Sequence, residues 1–146
     1  MLNRFPLEFI LTSTNYSVPL MFELYHNDKI IYSCKHVIKK IDVNILLECK
    51  GEKQQLSWQM SGKTTTHTKI DATGNIISDV ALMTENFKLD GFELKTLLTD
   101  NCVYLHTHNG TTETTKNTYD NFMGCNGKVV FDFDSPAHIW ILKNWR

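Results

Sequence analysis

Between Gly74 and Leu94 the chain reads GNIISDVALMTENFKLDGFEL, and this stretch constrains the possible folds more than any other. An apolar run breaks off, a short second run follows, and Asp90-Gly91 turns the chain into a third run that begins at Phe92. Asp-Gly accepts the positive φ angles that a tight β-turn requires. Short apolar runs closed by such a turn imply strands folded back on one another. The stretch therefore predicts an antiparallel sheet, not a helical or nucleotide-binding fold.

The flanking segments read as further strands. Leu7 to Thr12 is a first strand. Leu20 to Tyr25 and Lys29 to Cys34 flank Asn27-Asp28, a tight hairpin turn. Ile41, Val43, Ile45 and Leu47 alternate with Asp42, Asn44 and Glu48, and beyond the Lys50-Gly51-Glu52-Lys53 turn Leu56, Trp58 and Met60 alternate with Ser57 and Gln59. This period of two predicts half-buried strands and, across the turn, a second hairpin. Ser61 to Ile77 is polar and Thr-rich, which predicts a long loop. Phe92 to Leu98 suits a strand or one helical turn. Cys102, Tyr104 and His106 alternate with Val103 and Leu105, and a second polar loop, 107–119, follows. Val129, Phe131 and Phe133 mark another strand, and His138 to Leu142 reads as an apolar closing strand. Roughly nine or ten short strands at this spacing predict an all-β fold, a single antiparallel β-sandwich domain over residues 1–146, jelly-roll-like in type.

Composition narrows the function. The chain has 146 residues, 42% of them hydrophobic, with eight Phe, five Tyr and three Trp, enough for an ordered core. A net charge of -1 argues against a nucleic-acid partner, which demands a basic face. No apolar run approaches the roughly 20 residues of a membrane span. The N-terminal segment lacks the apolar core of a signal peptide, so the expected place of synthesis is the cytoplasm. Cys34, Cys49, Cys102 and Cys125 are scattered, without a C-x-x-C pair, and are expected to be reduced, small and buried.

Several constellations bear on chemistry. Asp71, Asp79 and Asp90 flank the central stretch, with Asn75 and Glu85 between them. Loop carboxylates of this kind ligate calcium in some sandwiches, and turn capping explains the same residues. His106 and His108 share a strand face, and with His67 they are the candidate zinc or copper ligands, Glu113 being the nearby acid for the carboxylate base that a catalytic zinc would want. Two polar surface histidines are the simpler reading. Asp132 and Asp134 lie on one strand face about 7 Å apart, within the range of glycosidase carboxylates and equally that of a solvated outer face. Ser61-Gly62-Lys63-Thr64 ends like a phosphate loop but lacks its first glycine. Trp58 and Trp140 are expected in the core. Tyr119 and Trp145 are the freer aromatics, able to stack on a sugar ring while Asn109 and Asp71 bond its hydroxyls.

The run SGKTTTHTKIDATGNIISDVALMTENFKLDGFEL, with FMGCNGKVVFDFDSPAHIWILKNW further on, resembles small jelly-roll accessory proteins of tailed bacteriophages. More distantly it resembles calcium-dependent carbohydrate-binding modules, in which a strand entering a turn is similar to Phe87-Lys88-Leu89-Asp90-Gly91. The resemblance implies a non-enzymatic decoration or structural role in a virion, with other virion proteins or further copies of the chain as partners. The alternative is a glycan-binding module or adhesin using loops 61–77 and 107–119. No cofactor is expected apart from calcium at Asp71, Asp79 and Asp90.

Overall fold

Two sheets, each with one apolar face, close on each other, and the alternation in the sequence becomes the two walls of one core. The structure, a computed structural model, describes residues 2–107 and 114–145. Strands β1 (Leu2–Ser13), β2 (Met21–His26), β3 (Lys29–Cys34), β4 (Ile41–Lys50) and β5 (Lys53–Ser61) make up the first part of the chain. Strands β6 (Lys69–Ile70), β7 (Ile76–Ser78), β8 (Leu82–Leu89) and β9 (Phe92–Glu93) lead into helix α1 (Thr96–Asn101). Strands β10 (Cys102–Thr107), β11 (Thr114–Thr118), β12 (Phe122–Met123) and β13 (Gly127–Asp134) precede helix α2 (Ala137–Asn144).

Among the described residues, one sheet runs β12-β8-β1-β4 with β9 beside β8, and the other runs β11-β10-β13-β5-β2-β3. Every pairing is antiparallel. The chain crosses repeatedly from one sheet to the other, so the fold is an antiparallel β-sandwich of jelly-roll-like connection, as expected. The inward residues Leu7, Phe9, Leu11, Val43 and Leu47 of the first sheet meet Phe22, Leu24, Leu56, Trp58, Val129 and Phe131 of the second. Phe87 ties the walls together. Its ring stacks on Phe9 at 5.3 Å and lies 5.2 Å from Trp58 across the core. Such aromatic pairs add about 0.5–1.5 kcal/mol beyond the area they bury.

The Asn27-Asp28 turn is as expected, with both residues at positive φ (47° and 66°). The second hairpin is not. Strand β4 pairs with β1, whereas β5 pairs with β13 and β2, so the turn at Gly51-Glu52 carries the chain from one sheet to the other. Both strands alternate because each lines the core from its own side. Period two reports which face is buried but not which neighbour shares the hydrogen bonds.

Residues 61–77 are also more ordered than a loop. A 3₁₀ turn at Thr65–His67 leads to the β6–β7 hairpin. Gly62 anchors the start of this segment at φ +95°, and a Cβ there would lie 2.6 Å from the Pro19 carbonyl oxygen. The break inside the central stretch is a bulge: β8 is one strand in which Asn86 takes φ 52° and the register with β1 shifts. Phe92 to Leu98 divides between the two expected forms, a two-residue strand and then α1. His138 to Leu142 is helical rather than extended. Pro136 precedes the first turn, and Ala137 and Ile141, four apart, put one face of α2 into the core. Among the described residues no helix is long and apolar enough to cross a membrane.

Candidate functional site

Where β5 and β13 run side by side toward α2, their register sets Gln55 opposite Asp132 and Lys53 opposite Asp134. Gln55 Nε2 donates to Asp132 Oδ1 at 2.9 Å, and Lys53 Nζ donates to Asp134 Oδ1 at 3.0 Å. The bond to Asp134, reinforced by its charge, raises the Lys53 pKa. These cross-strand pairs form one wall of an open cleft of about 560 Å³. Asn27 at the β2–β3 turn, Asn101 at the end of α1 and Trp140 on α2 complete it. Trp140 is half-buried. The ring stands edge-on to Phe131 at 5.5 Å and to Phe133 at 6.3 Å, so the core fixes its orientation.

Behind the cleft lies a saturated amide network. Gln54, buried, donates through Nε2 to the carbonyls of Lys50 and Gly51 at 3.1 Å each. Its Oε1 accepts from Asn27 Nδ2 at 2.8 Å and lies 2.8 Å from His26 Nε2. Asn27 in turn accepts from the Gln55 backbone N–H at 2.8 Å and donates its own N–H to the Gln55 carbonyl at 2.9 Å. The polar groups facing the cleft are thus set in position before any ligand arrives, which lowers the entropy lost on binding. Chemically, the cleft offers an aromatic surface beside carboxylate and amide groups in fixed orientation. It suits a ligand with one apolar face and a rim of hydroxyls.

The residues singled out in the sequence are dispersed. Tyr119 is a correction: it is fully buried, its ring lies 5.6 Å from Trp58, and its hydroxyl pairs with Thr84 Oγ1 at 2.7 Å. Burial raises its pKa, and it presents nothing to a ligand. Trp145 is exposed as expected, whereas Trp140, expected in the core, is the residue that reaches the cleft. Asn109, His108 and Glu113 lie outside the described residues. His106 is buried against Tyr104, and His67 accepts the Thr64 N–H.

Asp71, Asp79 and Asp90 do not form one site. Asp71 Oδ1 accepts from Thr73 Oγ1 at 2.7 Å, from Thr73 N at 2.9 Å and from Asn75 N at 3.0 Å, and these bonds lower its pKa. Asp79 pairs with Lys63 Nζ at 2.5 Å and accepts from Thr68 and Val80. Burial works to raise the Asp79 pKa, but those partners outweigh it and lower it. Asp90 meets His138 Nδ1 at 3.4 Å. Asp79 and Asp90 flank opposite ends of β8, which at eight residues is roughly 25 Å long. Among the described residues no group of three His, Cys, Asp or Glu is placed to hold a metal. The Lys63 of the phosphate-loop-like run is buried on Asp79 and on the Gly124 carbonyl, where it locks the segment to the β12–β13 turn.

Sequence reasoning found Asp132 and Asp134 as a face-sharing pair but missed Asn27, Lys53, Gln55 and Asn101. Their common cleft depends on strand register and on α2 being a helix, and no local pattern encodes the first. The i, i+4 burial of Ala137 and Ile141 was the available signal for the second.

No protein-family model matches the chain, and no curated protein matches it. Among solved structures, one described as "vCBM60 in complex with galactobiose" is similar, at 11% identity over 86% of this chain and 96% of that chain, with a TM-score of 0.49.

Proposed function

We propose that this protein binds carbohydrate without cleaving it, through the cleft between Asn27 and Trp140. The observation that carries this reading is the pairing of one half-exposed indole with cross-strand carboxylates and amides in a 560 Å³ recess. A pyranose ring has an apolar C–H face for Trp140 and hydroxyls that donate to Asp132 and Asp134. Both carboxylates already serve as acceptors, for Gln55 and Lys53, which is the role a binding site asks of them. The site lies away from the 61–77 loop that the sequence suggested.

The test is thermal unfolding of the purified protein against neutral mono- and oligosaccharides, with calcium and with chelator. A ligand at a hundred times its Kd stabilises the folded state by about 2.7 kcal/mol. For a chain of this length that raises Tm by roughly 5–11 °C. Trp140→Ala should abolish the rise. If no sugar shifts Tm in the wild type, the reading fails, and loss of the shift with chelator alone would make calcium part of the site.

A second reading, a structural or decorating component of a virion, draws on the β6–β7 hairpin. Ile70, Ile76 and Ile77 on it are 60%, 64% and 67% exposed, apolar surface that a neighbouring subunit would cover. Sedimentation of the wild type beside an Ile76→Lys, Ile77→Lys double variant tests it. A monomer in both cases at high concentration counts against self-assembly through this hairpin.

A further inference from the structure

We infer that the cleft is one half of a longer groove, and that its ligand is a neutral oligosaccharide of at least two units with Trp145 at the second. This rests on the carbohydrate reading of the first cleft. A second cavity, of about 390 Å³, lies between the C-terminal ends of the two helices, lined by Asp100, Asn101, Lys143, Asn144 and Trp145. Asn101 lines both cavities, so the two adjoin at that side chain. Each recess carries one tryptophan, Trp140 in the first and Trp145 in the second, and Trp145 is 53% exposed.

The second recess is built in the same way as the first. Asn101 Nδ2 donates to the Leu97 carbonyl at 2.8 Å, and Asn144 Nδ2 donates to the Trp140 carbonyl at 2.8 Å. The same four-residue reach thus fixes an amide side chain on each of the two facing helices, one on either side of the groove. Four residues of helical rise plus one further step place the Trp140 and Trp145 backbones on the order of 7 Å apart along the α2 axis.

Charge selects among sugars. Asp100, Asp132 and Asp134 line the two recesses together with Lys53 and Lys143, three carboxylates against two ammonium groups. Lys53 is moreover occupied by Asp134. An anionic sugar would meet a slightly acidic surface, whereas neutral hydroxyls find acceptors along its length.

The experiment is calorimetric titration of glucose with cellobiose, xylose with xylobiose, mannose with mannobiose, and galactose with galactobiose. The wild type, Trp145→Ala and Lys143→Ala are compared. For the pair that binds, the disaccharide should bind wild type about tenfold more tightly than its monosaccharide, equivalent to about 1.4 kcal/mol. Trp145→Ala should bring that ratio close to one, and Lys143→Ala should reduce it less. Circular dichroism melts of each variant show that the exposed substitutions leave the fold in place. A wild-type ratio near one, or a ratio that Trp145→Ala leaves intact, overturns the second subsite while the first stands. Absence of binding by every pair refutes the carbohydrate reading itself, a different result from either.

Discussion

Replacing Gln54 by methionine removes four hydrogen bonds from a buried position while almost preserving volume. Gln54 is 3% exposed, and its amide joins the Lys50 and Gly51 carbonyls to Asn27 and His26. At about 1 kcal/mol for each bond, complete loss would come to about 4 kcal/mol. Lys50 and Gly51 are themselves exposed, so their carbonyls regain water and that part of the cost shrinks. Asn27 is exposed on the cleft, so its Nδ2 can also turn to water, and the buried His26 keeps the larger share. We expect a net loss of about 2–3 kcal/mol. Unfolding entropy near 2.1 cal/mol/K per residue comes to about 0.3 kcal/mol/K for this chain, which converts the loss to a fall in Tm of roughly 7–10 °C. Thermal circular dichroism gives Tm, and urea titration should show a lower midpoint at unchanged slope. A fall of less than about 2 °C would refute the reasoning, because the network would then contribute no more than an ordinary surface contact.

Three further expectations concern the fold and its titration. The Asp79 pKa is lowered in the folded state, so its contribution is full above the ordinary carboxylate pKa and is lost as pH falls through the folded value. Wild-type stability should therefore drop below about pH 4. Lys63→Met should be less stable at neutral pH and show a shallower acid limb in urea titrations repeated across that range. Tyr119→Phe removes the hydroxyl that pairs with Thr84 and should cost about 1 kcal/mol by the same assay, without altering any sugar binding. Ellman's reagent should modify Cys34 and Cys125 first. Cys49, pushed up to about 11 by burial, and Cys102, raised by burial and then by Asp132, should react only on unfolding.

The sequence by itself determined that this chain would be all-β, because alternation at Ile41, Val43, Ile45 and Leu47 and at Val129, Phe131 and Phe133 fits nothing but a half-buried strand. The Asn27-Asp28 turn was equally legible, since its backbone angles are a property of those two residues and their strands. Asp132 and Asp134 were assigned to one face for the same local reason. Tertiary structure decided the rest. Whether β4 pairs with β5 or faces it across a core leaves the same alternating pattern, so the pairing belongs to the packing of whole sheets. The polar-looking Tyr119 can be buried because Thr84, 35 positions away, pairs with its hydroxyl. The cleft is the clearest case. Asn27, Lys53, Asn101, Asp132 and Trp140 are distant in sequence, and only the register of β5 on β13 and the docking of two short helices bring them together. Local sequence encodes backbone conformation and which face is buried. A site assembled from several strands and helix ends exists only once long-range contacts have chosen among the pairings that local sequence permits.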